Sequence, residues 1–437
     1  MPEKDIEAEK PLQKGAREPR GRRCNMGGVD FRWVAACVSL TLIGVAIGYW
    51  VVKPIGAGVP PICHCENLRF CERVTDTTRK EVFMFSLRAT ATDWQHYDWT
   101  KVTTVVMVGY LDMGLVCLAH EHGARAVIIG DVSADVFVSP DKRKSWIAKQ
   151  LDVVDRHFLD GLNFDFESPI LPSQFDLRDG YTALVRETRA ALVEKFPFAM
   201  VSVDVAWGAQ GVDERNYDYQ GLAAAADFLF VMAYDMQSQI RGSCVAGPNS
   251  PFPSVMEGRE ISTRKKDITG VQSYLNASIS PDRLVLGLPW YGYNYSCIAL
   301  STENVCSIRA IPFRGVYCSD AAGNEINFNI VSSLLESSTS GRLWDEESQT
   351  PYFNYEMHGE SLQVRYDDPK SLTVKYQYAL DAGLRGVGVW NTEALAYSSQ
   401  APRDIWDVHE MWAALPDFHE NQPHNHRKQS TRHVGRD

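Results

Sequence analysis

Eight short apolar runs, separated mostly by amphipathic stretches, constrain the folding of this chain more than any other feature. They fall at 82–86, 103–108, 126–129, 161–166, 200–205, 228–233, 284–288 and 386–390. Runs of this length, nearly continuous in apolar residues, fit strands buried on both faces. Residues 181–195 repeat apolar positions at three and four, the period of a helix packed along one stripe. Strands joined by helical crossovers lie parallel, and eight of them close into a barrel. The expected class is α/β, a (β/α)8 TIM barrel over 81–415. Such a barrel places its chemistry at the C-terminal ends of its strands. Glu167, Tyr234, Trp290 and Trp390 all stand at such ends.

The spacing breaks once. Residues 291–370, between the seventh and eighth runs, are rich in Tyr, Asn and Ser and hold Cys297, Cys306 and Cys318. A crossover needs only a helix and short loops, so this span reads as an inserted α+β subdomain walling one side of the cleft.

The flanks differ in kind. Residues 1–30 are charged and lack an apolar period, as in a disordered cytosolic tail. Residues 33–52 carry no charge and are long enough to span a bilayer as a helix. Arg17, Arg20, Arg22, Arg23 and Arg32 precede that stretch and only Lys53 follows closely. The positive-inside rule then sends the rest of the chain across the membrane. The stretch reads as an uncleaved signal anchor, with a signal peptide cut near Gly56-Ala57-Gly58 as the alternative. Residues 53–80 form a linker and Cys-rich entry segment. Residues 416–437 form a polar tail with His419, His424, His426 and His433.

Of ten cysteines, eight lie beyond the apolar stretch. An even set in a translocated chain reads as disulfides, with the pairing left open. A zinc site from Cys63-His64-Cys65 and Cys71 is the competing use. Asn276 and Asn294 begin glycosylation acceptors, if exposed. The formal net charge of -11 disfavours nucleic acid as a partner, since a phosphate-binding face needs a basic patch and none is visible.

Residues 160–167 read Asp-Gly-Leu-Asn-Phe-Asp-Phe-Glu. Leu162, Phe164 and Phe166 alternate with Asn163, Asp165 and Glu167, so one face is apolar and the other carries an amide and two acids. Carboxyl groups aimed into a core must be hydrogen-bonded or used. An ionised Asp165 beside a protonated Glu167 suits protonation of a leaving oxygen next to developing positive charge.

This octapeptide, with Met232-Ala233-Tyr234-Asp235, resembles the signature of glycoside hydrolase family 18, the chitinase-like enzymes. The chain departs from it at Asn163, where the family has a second acid. Separate segments are similar to the di-N-acetylchitobiase branch: Tyr97-Asp98-Trp99, Asp204-Val205-Ala206-Trp207, Gly287-Leu288-Pro289-Trp290-Tyr291-Gly292-Tyr293 and Cys318-Ser319-Asp320-Ala321-Ala322-Gly323.

The resemblance implies a retaining glycosidase acting on β-1,4-linked N-acetylglucosamine, in which the substrate's own acetamido oxygen attacks C1. Glu167 would be acid and then base, and Asp165 the anion beside the oxazolinium ion. Asp160 would hydrogen-bond or share a proton with Asp165, Tyr234 would align the acetamido group, and Asn163 would orient by hydrogen bonding. Trp390 would floor the sugar, with Trp207, Asp235 and Trp290 as further substrate-binding candidates. No metal or organic cofactor is signalled. The partner is an oligosaccharide, plus a membrane through 33–52 if that stretch is kept. The implied compartment is the lysosome or another secretory lumen, with a type II anchored or extracellular form as the alternative. An endo-acting chitinase and a non-catalytic lectin on the same barrel are the competing functions.

Overall fold

The computed structural model describes residues 61–418, apart from 77, 88–89 and 253–269. The expectations for 1–30, for the apolar stretch at 33–52 and for the histidines beyond 418 lie outside the described residues. Among the described residues no helix is long and apolar enough to cross a membrane.

Eight parallel strands close the expected barrel. They are β1 (Glu81–Ser86), β2 (Thr104–Met107), β3 (Arg125–Ile129), β4 (Gly161–Phe164), β5 (Met200–Val205), β6 (Phe228–Met232), β7 (Leu284–Pro289) and the last strand, Gly386–Trp390, which pairs with both β7 and β1. Each strand buries both faces. Val82, Met84, Val105, Leu162 and Phe164 pack outward under the helices. Phe83, Phe85, Val106, Val127, Phe228 and Phe230 fill the bore.

Phe230 explains two glycines. A Cβ at Gly287 would lie 2.2 Å from its ring, and one at Gly388 would lie 2.4 Å from it. The neighbouring strands therefore leave the ring its space. Phe230 also meets Phe85 edge-on at 5.0 Å, which favours opposed ring quadrupoles.

The N-terminal end of the barrel is sealed by charge. Arg125 clasps Glu81 through both carboxylate oxygens at 2.6 and 2.7 Å, with Thr103 and Thr104 also donating to Glu81. Asp160 lies at this same end. It accepts from Val74 N at 2.8 Å, from Ala126 N at 2.7 Å and from His120 Nε2 at 2.8 Å. His120 in turn meets the Phe70 carbonyl through Nδ1 at 2.7 Å. Asp160 thus fastens the Cys-rich entry segment beneath the barrel.

The span between β7 and the last barrel strand holds its own sheet. The strands are β8 (Tyr291–Ser296), β9 (Ala299–Leu300), β10 (Cys306–Ser307), β11 (Gly323–Asn327), β12 (Leu343–Asp345), β13 (Thr350–Met357) and β14 (Glu360–Arg365), so the last barrel strand is β15. Five of them form an antiparallel sheet in the order β11-β8-β14-β13-β12, and a helix, Phe328–Leu335, packs beside it. The fold is a TIM barrel with an inserted α+β subdomain.

All eight cysteines among the described residues are paired: Cys63–Cys71, Cys65–Cys117, Cys244–Cys318 and Cys297–Cys306. These bonds consume the thiols that a zinc site at Cys63, Cys65 and Cys71 would need. The Cys244–Cys318 bond ties the loop after β6 to the insertion. Asn276 is exposed, as an acceptor must be, whereas Asn294 sits mid-strand and donates its amide to Tyr355 at 2.8 Å.

Candidate active site

The ladder between β4 and β5 ends at Phe164, so Asp165 and Glu167 occupy the exit from β4 at the C-terminal mouth. Phe166, between them, turns outward against Phe137 and Tyr181. That anchor fixes the alternation and aims the two acids inward. Tyr217 latches the turn by donating to the carbonyls of Phe166 at 2.8 Å and Ser168 at 2.7 Å.

A cavity of about 220 Å³ opens above them. Asp165, Glu167, Asp204, Asp213, Asp235 and Glu325 line it, and among the described lining residues Arg215 is the one cation. Trp207, Tyr234, Tyr291 and Trp390 supply its aromatic walls. Trp390 lies against Phe85 at 5.1 Å, so the filled bore supports the ring from below.

Burial raises five of the carboxyl groups around this cavity, Asp165, Asp204, Asp213, Asp235 and Glu325. Burial, and then the charge of Glu167, pushes Asp165 up to about 7, while Arg215 pulls the other way. Burial, and then the charge of Asp165, holds Asp204 well above the usual carboxylate range. Two such neighbouring groups share a proton rather than both ionising. Tyr234 stays protonated for the same two reasons, burial and the field of Asp204, and so remains a hydrogen-bond donor.

Asn163 lies below the cavity floor. Its amide donates to Ser202 Oγ at 3.0 Å and to Asp204 Oδ1 at 2.8 Å. Asp235 accepts from the hydroxyls of Tyr291 and Tyr293, the latter at 2.9 Å, and its own N–H donates to Asn249 Oδ1 at 2.7 Å. Asp320 stands behind this group, pushed up to about 8 by burial and then by the charge of Asp235. Among the described residues no set of acids converges tightly enough to hold a metal ion.

Residues 127–394 match the profile of glycosyl hydrolases family 18. The chain belongs to that family. It is 39% identical over 355 residues to di-N-acetylchitobiase of Mus musculus, covering 81% of this chain and 92% of that one. With di-N-acetylchitobiase of Homo sapiens it shares 40% identity over 356 residues, covering 81% and 88%. Among solved structures, a group IV chitinase from Ostrinia furnacalis in complex with allosamidin superposes with a TM-score of 0.59. That pair is 20% identical and covers 77% of this chain and 100% of the other, which supports the fold. The protein is a family 18 glycoside hydrolase, close to the di-N-acetylchitobiases.

Within this family 18 site, six expected residues meet in the cavity: Asp165, Glu167, Tyr234, Asp235, Trp207 and Trp390. Three do not. Asp160 is five residues before Asp165 on a strand that rises roughly 3.3 Å per residue, which puts it at the opposite end of the barrel. It cannot share a proton with Asp165. Asn163 contacts Asp204 rather than the cavity, so it is a support and not a substrate contact. Trp290 is fully buried, edge-on to Trp412 at 5.4 Å, in the packing between barrel and outer helices.

The sequence reading missed Asp204, Asp213, Arg215, Tyr291 and Glu325. Asp204 carried a usable signal: Ser202 and Asp204 alternate with Val201, Val203 and Val205, as on β4. Asp213 and Arg215 lie in the loop after β5 and Glu325 on the insertion, where no periodicity points inward.

Proposed function

We propose that this enzyme hydrolyses the β-1,4 bond between two N-acetylglucosamine units with retention, the substrate supplying the nucleophile. The observation that carries this reading is the pair Asp165 and Glu167, side by side at the mouth of one cavity with Trp390 as a wall. The ring in the cavity lies against Trp390, its acetamido group toward Asp165 and Tyr234. Glu167 gives its proton to the glycosidic oxygen, the C1–O bond breaks, and the acetamido carbonyl oxygen bonds to C1. Asp165 balances the positive oxazolinium ion, and its buried Oδ1, which has no partner, accepts the acetamido N–H. Water then attacks C1 as the Glu167 carboxylate takes its proton, which restores both the acetamide and the acid. Asn163 holds Asp204 in place, and Asp204 is the neighbour that receives or returns a proton as Asp165 changes charge.

The favoured substrate is a free oligosaccharide ending in this disaccharide, from which the reducing-end sugar is removed. The likeness to the di-N-acetylchitobiases supports it. So does the cavity, smaller than the roughly 300–1,000 Å³ typical of pockets that engulf larger ligands. The disulfides support action in a lysosomal or other secretory lumen. Incubation with chitin oligomers labelled at the reducing end tests the reading. Release of the labelled monosaccharide alone is expected. Internal fragments would favour an endo-acting chitinase, and binding without turnover a lectin.

A further inference from the structure

Arg215 is the cation that faces all this acid, and one of its nitrogens stands between two of the carboxylates. Nη2 lies 2.6 Å from Glu167 Oε2 and 3.9 Å from Asp213 Oδ2. Its Nε is buried with no hydrogen-bond partner. The backbone beneath is fixed: Arg215 N–H donates to the Val212 carbonyl at 2.9 Å, and the Arg215 carbonyl accepts from Tyr219 OH at 2.6 Å. Asp213 is fixed as well, accepting from Ser238 Oγ at 2.8 Å. Asp213 and Glu214 have φ of 53° and 61°, a left-handed conformation that costs non-glycine residues about 1–2 kcal/mol each. Strain of that kind, kept beside a cleft, points to a required orientation.

Glu167 is an ion-pair partner of Arg215, whereas the first step of the reaction needs it to hold a proton. We propose that Arg215 is a positioning residue that changes partner during turnover, pairing with Asp213 while Glu167 is protonated and with Glu167 while it is a carboxylate. The exchange is driven by charge alone. When Glu167 takes up a proton its pull on the guanidinium falls, and Arg215 moves to Asp213, whose carboxylate form the Ser238 hydroxyl, Arg215 and Arg314 favour against the burial that raises it. When the proton passes to the glycosidic oxygen, the new carboxylate recovers the guanidinium, so Arg215 stabilises charge as it forms and readies the base for water. The only species transferred is that proton.

Other groups act on Glu167 from every neighbouring element. They are Asp165 from β4, Asp204 from β5, Asp213 and Tyr217 from the loop beyond it, and Tyr234 and Asp235 after β6. All of these are acidic groups; Arg314, a second cation, acts on Asp213 and lies 3.7 Å from Glu214, so Arg215 is the cation in contact with Glu167.

The inference rests on Glu167 being the acid. The test is the pH profile of kcat/KM for di-N-acetylchitobiose hydrolysis by the wild type, Arg215→Met, Arg215→Lys, Asp213→Asn and Glu167→Gln. Removing a guanidinium in contact with a carboxyl should move the basic limb of Arg215→Met up by about one pH unit or more. Its kcat should fall about a hundredfold with KM little changed. Arg215→Lys should restore the limb. Asp213→Asn, nearly isosteric and still able to accept from Ser238, leaves Arg215 to Glu167 alone and should move the limb down. Asp213→Asn carries the test if Arg215→Met does not fold. A limb that stays in place in either folded variant overturns the partner exchange. An active Glu167→Gln instead removes the acid assignment itself.

Discussion

Asn163 Nδ2 on β4 lies 2.8 Å from Asp204 Oδ1 on β5; both side chains are buried, and Asn163 stands two residues before Asp165. The amide can donate to an ionised or a protonated Asp204 oxygen, and it adds no charge of its own. A third carboxyl at that position would have to be neutral or to share a proton. Asn163→Asp should therefore approach wild-type kcat below pH 5 and lose it increasingly above, as the added group ionises against Asp204. A pH–rate profile parallel to the wild type would show that position 163 is not electrically linked to the site.

Asp160 should affect folding and not chemistry. Replacing it with Ala strands the Val74 and Ala126 N–H groups and the His120 ring in a sealed region. Loss of one partner from a buried pair costs about 3–5 kcal/mol. Asp160→Ala should unfold at a much lower temperature, while the folded fraction keeps its kcat. Thermal unfolding and active-site-normalised kinetics on one preparation separate the two effects.

The two tryptophans at strand ends should behave oppositely. Trp390→Ala removes the cavity wall and should raise KM by about tenfold with little change in stability. Trp290→Ala empties a packed site and should cost about 3–5 kcal/mol of stability. Denaturant titration and steady-state kinetics distinguish them.

Stability should be higher in mild acid than in weak alkali. Burial, together with mutual repulsion, raises Asp165 to about 7 and Asp320 to about 8 and also raises Asp204, Asp235 and Glu325. The folded state holds these protons at pH values where an unfolded carboxyl, near 4, has lost them. Their contribution is complete below that unfolded value and is lost as pH rises through the folded ones. His120 acts in the same sense: burial opposes its charge, but the bond to Asp160 outweighs this and raises it. Glu81 acts oppositely, since burial is outweighed by Arg125 and Arg385 and its support is lost in stronger acid. Melting temperature should thus be higher at pH 5 than at pH 8. The reverse order would mean that the cavity acids are not held protonated.

The barrel was legible because each strand is a compact apolar run and each crossover keeps a helical period. β5 and β15 have the expected limits, Met200–Val205 and Gly386–Trp390. Agreement on β4 was looser, since its ladder stops at Phe164 while the alternation runs on to Glu167. That same alternation exposed Asp165 and Glu167 as inward pairs. It misled at Asp160, because a motif's residues need not share one end of a strand. Trp290 misled for a related reason: it stands between inward Tyr291 and the strand end, and one residue of register turns a side chain from cleft to core. Arg215 and Glu325 come from loop and insertion, whose placement depends on tertiary packing and on the Cys244–Cys318 bond.

The central claim is that Glu167 supplies and recovers the proton in this cavity. Its most direct measurement is kcat for di-N-acetylchitobiose in Glu167→Gln against wild type. The isosteric amide preserves the shape of the site and cannot donate an acid proton. A fall of about two to four orders of magnitude, in protein with wild-type folding stability, is the predicted result. Turnover at the wild-type rate would contradict it.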